Sequence, residues 1–168
     1  AEAIRQQNPN LYTPAETGVH LRFSINPSDA ESDFDHTIRH AHETLTLHDW
    51  QVVTWKNDTR HGLNQHLQEL LNPHVTGLFH YRLWGMKDEY GRDMDAQVGV
   101  GDKILITDND YEHGVFNGQT GIITGFSLGD LVIDFGPGEG ERRIPLEDAR
   151  DLMQLGYAVT VHKAQGSG

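Results

Sequence analysis

Tyr157-Ala-Val-Thr-Val-His-Lys-Ala-Gln-Gly-Ser167 reads as a β-strand that delivers Thr160, His162, Lys163 and Gln165 and then breaks at Gly166-Ser167. In α/β sheets the carboxyl ends of strands are where ligands sit. This run carries hydroxyl, imidazole, ammonium and amide groups out of such an end. Lys163 can neutralise a phosphate, and Thr160 and Ser167 can donate hydroxyl hydrogen bonds to a nucleic-acid backbone. The N–H groups of Gly166 and Ser167, opening a following helix, would form an anion site. An ordinary strand with a polar C-terminal turn carries the same residues, so the run alone leaves both readings open.

A strand of this kind needs neighbours, and the upstream chain supplies an α/β pattern. Ala1 to Asn8 reads as a helix tail, because the residue before Pro9 is pushed out of helical geometry. Val19-His-Leu-Arg-Phe-Ser24 alternates apolar and polar, as a half-buried strand does. Ser28 and Glu31 form a capping box after Pro27. Ala30, Phe34, Ile38, Ala41 and Leu45 then mark one face of a helix. Trp50-Gln-Val-Val-Thr-Trp55 is β-branched and aromatic, which predicts a buried strand with Trp50 and Trp55 in the core. Asn57, Asp58 and Thr59 are N-cap candidates for a second helix carrying Leu63, Leu67, Leu70 and Leu71, stopped by Asn72-Pro73. The strand–helix–strand–helix order predicts parallel pairing with right-handed crossovers.

Residues 73–98 show no clean period and read as a connector, in which Asp88-Glu89 is solvated. The chain then changes character. Lys103-Ile-Leu-Ile-Thr107, Val115-Phe116, Gly121-Ile-Ile-Thr-Gly-Phe126, Leu131-Val-Ile-Asp-Phe135 and Arg143-Ile-Pro-Leu146 are short apolar runs. Asn117-Gly118 and Leu128-Gly-Asp130 are turn signals between them. Five such strands in about fifty residues predict a small antiparallel barrel. Pro145 fits a strand end or an edge, and Gly136-Pro-Gly-Glu-Gly140 is a loop between two strands.

Composition narrows the function classes. The 168 residues suffice for one domain or two small ones. No stretch approaches the ~18 apolar residues of a membrane span. With no cysteine, disulfides, zinc ribbons, thiolate nucleophiles and iron–sulfur clusters are excluded, and a cytoplasmic setting is expected. The net charge of -12 argues against strong independent DNA binding, which usually shows a basic footprint. Residues 88–151 hold fifteen acidic and five basic side chains, a balance of −10, and the rest of the chain carries −2. His36 and His40, with His42 nearby, lack a third ligand placed by the sequence and read as a solvated face, so no metal site is expected. Trp84, in the connector, is a candidate to stack on bases. The chain stops just after an apolar strand, which leads us to expect a piece of a larger protein.

Thr160-Val-His-Lys-Ala-Gln-Gly-Ser167 resembles motif V of superfamily 1 DNA helicases, especially the RecD-like group. Three further stretches are similar to that family's barrel insertion: Gly101-Asp102-Lys103, Asn109-Asp110-Tyr111, and Val115-Phe116-Asn117-Gly118-Gln119-Thr120-Gly121. Leu63-Asn-Gln-His-Leu-Gln-Glu-Leu-Leu-Asn-Pro73 resembles the helix before the insertion, and Ala3-Ile-Arg-Gln-Gln-Asn-Pro9 the helix after the motif IV arginine. The matches fall in family order over almost the whole chain.

The resemblance implies an α/β fold in three parts. Residues 1–98 would be a partial RecA-like domain 2A with its connector. Residues 99–153 would be an inserted SH3-like antiparallel β-barrel, domain 2B. Residues 154–168 would be the return strand of 2A carrying motif V. It implies that Thr160, His162 and Lys163 contact single-stranded DNA, with Asn109, Tyr111, Asn117 and Thr54 as further DNA candidates. Gln165, Gly166 and Ser167 would lie at the nucleotide cleft. The parent would be an ATP-dependent DNA helicase of DNA repair or recombination, using ATP and Mg²⁺ and moving 5′→3′. Its partners would be single-stranded DNA, the RecA-like domain 1A, and a nuclease or replication complex, with no membrane.

The 168 residues contain no Gly-x4-Gly-Lys-Ser/Thr loop and no acidic pair after an apolar strand to bind Mg²⁺. The motif IV arginine would precede Ala1, and the last arginine motif would follow Gly168. Phosphoryl transfer needs those parts, so this stretch alone is expected not to hydrolyse ATP or to hold either cofactor. The acidic barrel supports a second reading, a degenerate helicase module kept as a protein-docking domain. A third is a barrel at 99–153 that binds a partner peptide.

Overall fold

The computed structural model describes residues 27–160, without the side chains of residues 27–31, Asp58, Trp84 and Gly85. The chain divides into two compact units, 1–44 and 45–168. In the first, α1 spans Pro27–Thr44. Its expected apolar face holds in part: Ile38 is buried and Phe34 and Ala41 are half-buried, while His36, His40 and His42 are exposed. The helix begins at Pro27, ahead of the expected Ser28 cap. The expected helix at 1–8 and strand at 19–24 lie outside the described residues.

The second unit runs β1 (Val52–Thr54), α2 (Asn57–Leu71), β2 (Gly77–Lys87), β3 (Asp93–Gly99), β4 (Lys103–Ile106), β5 (Thr120–Ser127), β6 (Asp130–Asp134), β7 (Glu141–Pro145), α3 (Leu146–Leu152), β8 (Met153–Leu155) and β9 (Ala158–Thr160). Three sheets result: a parallel β1–β9 pair, an antiparallel β2–β3 hairpin, and a five-stranded sheet ordered β7-β6-β5-β4-β8. The last is antiparallel throughout. Among the described residues its end strands β7 and β8 do not pair, so hydrogen bonding does not close the expected barrel.

The core of this sheet is aliphatic. Ile104, Ile106, Ile123, Leu131, Ile133, Ile144 and Leu155 are fully buried, each stabilising the fold by about 1.5–3 kcal/mol. Burial alternates along β6, so Leu131 and Ile133 face inward. The fifth strand is β8, not the expected Val115-Phe116. Val115 makes only an isolated bridge to Asp110. Pro145 ends the edge strand β7, where its missing N–H costs nothing.

Residues 73–98 are not a loose connector. Phe79, Tyr81 and Leu83 on β2 and Ala96 and Val98 on β3 are buried at alternate positions. Register shifts between Gly77 and Phe79 and between Arg82 and Lys87 disturb that alternation, which hid the hairpin in the sequence. Asp88 is a turn former. Its Oδ1 accepts from the N–H groups of Tyr90 and Arg92, and its Oδ2 from Arg92 Nε at 2.7 Å. Those bonds hold its carboxyl below the usual range.

Two other expectations are corrected. The N-cap of α2 is Lys56, with no side-chain cap bond, so Asn57, Asp58 and Thr59 lie inside the first turn. Trp55 is 78% exposed, because it follows the last paired residue of β1. Trp50 is half-buried, with the Lys103 ammonium 5.5 Å from its ring centroid. Among the described residues, no helix is long and apolar enough to cross a membrane.

Candidate nucleic-acid interface

The parallel pair brings Thr54 and Thr160 side by side. Val52 lies opposite Ala158, Val53 opposite Val159 and Thr54 opposite Thr160, so both hydroxyl residues close the carboxyl ends of adjacent parallel strands. Each strand has only three paired residues, and side-chain amides complete the pair. Asn64 on α2 donates from Nδ2 to the Ala158 carbonyl at 2.9 Å and accepts the Ala158 N–H on Oδ1 at 2.8 Å. It thus occupies the other edge of β9 as a neighbouring strand would. Gln51 donates from Nε2 to the carbonyls of Gly156 and Tyr157. Gly156 is required here: a Cβ at that position would collide with the main chain of Ile104 and Leu105.

A buried carboxylate ties this pair to α2 and to the entry of the five-stranded sheet. Asp102 is fully buried. Its Oδ2 accepts from Gln68 Nε2 at 2.6 Å and from the Gly99 N–H at 2.9 Å. Its Oδ1 accepts from Asn72 Nδ2 at 2.9 Å and from the Tyr157 hydroxyl at 3.0 Å. Burial raises the carboxyl pKa and these donors oppose the rise. Lys103, next along the chain, donates to the carbonyls of Leu47 and Trp50, both at 2.6 Å. Burial lowers its ammonium to about 8.

The remaining candidates lie on the loop between β4 and β5. Asn109 Oδ1 accepts the Asn117 N–H at 2.9 Å, which folds the loop on itself. Asp110 accepts the N–H groups of Glu112 and His113 on Oδ1 and meets His113 Nδ1 on Oδ2 at 2.6 Å, an interaction that raises the His113 pKa. Tyr111, 79% exposed, stands edge-on to Phe116 with ring centroids 5.9 Å apart. Gly118, at φ 97°, makes the turn that returns the chain to β5.

Between the β1–β9 pair and this loop lies a cleft of about 580 Å³. Val53 and Val159, the residues just before Thr54 and Thr160, line it, and so do Phe116 and Asn117. His48 lines it as well, with Nε2 3.1 Å from Asp134 Oδ2. The fold therefore places Thr54 beside Thr160 and sets Asn117 against the same cleft as their strands. Tyr111 touches the cleft only through Phe116. Asn109 acts within its loop. His162, Lys163, Gln165, Gly166 and Ser167 lie outside the described residues. Among the described residues, no three His, Asp or Glu side chains are grouped to hold a metal.

Sequence reading missed the roles of Asn64, Asp102 and Lys103. Asp102 and Lys103 sit in a stretch that resembles the helicase insertion, but their partners other than the Gly99 N–H lie 30 or more residues away. The one local signal was charge itself, an aspartate and a lysine abutting the all-apolar run Ile104-Leu-Ile106.

No family model matches the chain. A curated relative, the ATP-dependent RecD2 DNA helicase of Deinococcus radiodurans, is 36% identical over 106 residues, 62% of this chain. The matched region spans 12% of that relative's length. Among solved structures, the Pif1 helicase from Bacteroides in complex with ADP-AlF3 and ssDNA aligns with 88% of this chain and 42% of its own, at 16% identity and a TM-score of 0.47. Unliganded Pif1 from Bacteroides sp aligns with 70% and 43%, at 16% identity and a TM-score of 0.46. Over the region matched to RecD2 the chain is thus similar to a DNA helicase of the RecD-like group.

Proposed function

We propose that the chain is the 2A/2B part of an ATP-dependent DNA helicase motor and that it grips single-stranded DNA. In this reading residues 1–98 form a partial RecA-like domain 2A, 99–153 an SH3-like 2B insertion, and 154–168 the return of 2A carrying motif V. The observation that carries the reading is the register of β1 and β9, which sets Thr54 against Thr160 at adjacent strand ends beside the cleft lined by Asn117. Hydroxyls at such ends can donate to phosphate oxygens. Thr160, His162 and Lys163 are the backbone contacts, with Thr54, Asn109, Tyr111 and Asn117 flanking them. Gln165, Gly166 and Ser167 face the ATP cleft, which domain 1A completes. ATP and Mg²⁺ act in the whole motor, which moves 5′→3′, alone or within a nuclease or replication complex, in a cytoplasmic setting and in repair or recombination. This segment by itself turns over no ATP.

Titration of the chain onto labelled oligo-dT at low and moderate salt tests the reading. Binding that weakens steeply with salt is expected, since phosphate contacts release counterions. Absence of binding at low salt would contradict it. In the whole helicase, Lys163→Ala should lower DNA-stimulated ATP hydrolysis far more than basal hydrolysis, and equal loss of both would remove the coupling role.

A second reading, a docking module for a protein partner, draws on the −10 balance of residues 88–151. Such a surface repels phosphates, and it favours a basic partner over DNA along the five-stranded sheet.

A further inference from the structure

The β5–β6 hairpin ends in a two-residue turn, Leu128-Gly129, in which both residues have positive φ, 58° and 94°. Asparagine and glycine are the usual occupants of such a turn, because a leucine is disfavoured in the left-handed region. Leu128 is nonetheless 98% exposed, the most exposed large hydrophobic side chain among the described residues, and Phe126, two residues before it, is exposed as well. A lone surface leucine needs no explanation. A leucine held in strained backbone and presented to solvent calls for a reason outside the fold. The turn that carries it is anchored. Ser127 pairs with Asp130 and Phe126 with the buried Leu131, and the Leu146 N–H donates to the Gly129 carbonyl at 3.0 Å.

Charge around this tip has one sign. Asp130 follows the turn, and Glu147 and Asp148 follow Leu146 in the first turn of α3. Residues 126–130 and 145–149 hold these three acidic side chains and no basic one. None of the three joins a salt bridge among the described residues; Asp148 acts on His113 only through its field. Arg143 lies further from the turn, opposite Val132, and Arg150 comes about one turn after Leu146 in α3. Such a tip repels the phosphates of nucleic acid and of anionic lipid and attracts ammonium and guanidinium groups.

We propose that the β5–β6 tip docks into a protein partner, with Leu128 seated in an apolar pocket whose rim carries lysine and arginine against Asp130, Glu147 and Asp148. The inference rests on the docking reading above, to which it adds a contact element and a partner chemistry; the strand grip at β1 and β9 is independent of it.

The test irradiates the whole chain carrying a photo-cross-linker, Leu128→p-benzoylphenylalanine, in extract of its source cells. A second chain carries the same change at Tyr90, an exposed residue of the β2–β3 turn. A protein joined at position 128 and not at position 90 is expected. That protein, identified, purified and titrated against the labelled chain, should bind Leu128→Asn about tenfold more weakly, as loss of one buried leucine provides. Leu128→Met should keep the affinity. Asparagine suits the turn, so a weakened Leu128→Asn is not an unfolded one. Binding should weaken with salt, and Glu147→Gln with Asp148→Asn should flatten that dependence. Leu128→Asn should bind oligo-dT as the unaltered chain does. A partner that is joined equally at both positions, holds Leu128→Asn as tightly as the unaltered chain, or is indifferent to salt overturns the tip and leaves the docking reading standing. A cross-link at position 128 to a second copy of the chain alone, or weaker oligo-dT binding by Leu128→Asn, also overturns it. If no protein is joined at either position or retained by the immobilised chain, the docking reading and the tip fall together.

Discussion

The five-stranded sheet and the β1–β9 pair are stabilised by different physics. The sheet has an aliphatic core in which Ile104, Ile123, Leu131, Ile133 and Ile144 are fully buried. The parallel pair has three residues in each strand and depends on Asn64, Gln51 and, through Tyr157, on Asp102. Burial is non-directional and tolerates exchange of one apolar residue for another. Hydrogen bonds to buried amides and a carboxylate fix geometry and are costly to break. The region with candidate contacts at its strand ends is therefore the one whose position is set by directional bonds. The sheet beside it serves as a stable platform.

The largest test of that contrast is Asp102→Ala. It strands four donors, from Gln68, Asn72, Gly99 and Tyr157, and should cost about 4 kcal/mol, measured by urea unfolding. A loss below about 1 kcal/mol would show that the four bonds do not hold the pair. Asn64→Leu comes next. It leaves the Ala158 N–H and carbonyl without their partner on that edge and should cost about 2 kcal/mol. Hydrogen exchange at residues 157–160 should accelerate while that at β5 and β6 stays unchanged; equal acceleration in both would erase the distinction between the regions.

Lys103 joins the two regions and gives a pH signature. Its folded ammonium titrates near 8, against an ordinary value of 10.5. Between those values the unfolded chain keeps a proton that the folded chain has released, so stability rises with pH in that window. Tyr81, pushed up to about 12 by burial, works the other way above pH 10, which limits the window to about pH 8–10. The unaltered chain should gain about 2 kcal/mol over that range relative to Lys103→Met. Parallel pH profiles for the two proteins would remove the ammonium from the account.

The smallest effect has the opposite sign and lies wholly in the sheet. Leu128, 98% exposed, sits at φ 58° in the β5–β6 turn, followed by Gly129 at φ 94°. A branched side chain in the left-handed region is disfavoured, and asparagine is the usual residue there. Leu128→Asn should raise stability by about 1 kcal/mol in thermal unfolding. A decrease would mean that the leucine makes a contact the turn itself does not need.

The same division decides how much was legible in the sequence. Aliphatic runs and glycine turns are local, so β4, β5, β6 and β7 are readable from Ile104, Gly118 and Gly129 and their neighbours. The parallel pairing expected from the strand–helix order involves the strand at 19–24, outside the described residues, whereas β1 pairs with β9, which lies 106 residues further on (Val52 to Ala158). β8 was missed because Met153-Gln-Leu155 carries no β-branched residue, and β2–β3 because bulges interrupt an alternation that Phe79, Tyr81 and Leu83 do show. Trp55 misled because aromatic content marks a strand but not where its pairing stops. The candidate site was legible as residue types, Thr54, Thr160 and Asn117, and not as an arrangement. Asn64 with Ala158 and Asp102 with Tyr157 are bonds across 94 and 55 residues, which no local pattern encodes.

The most direct measurement of the central claim is hydrogen exchange of the chain with and without oligo-dT at low salt. Protection is expected at residues 52–54, 107–119 and 158–160, and none along the β5–β6 hairpin. Protection centred on that hairpin, or none anywhere with the oligonucleotide in excess, would contradict a strand grip at the carboxyl ends of β1 and β9.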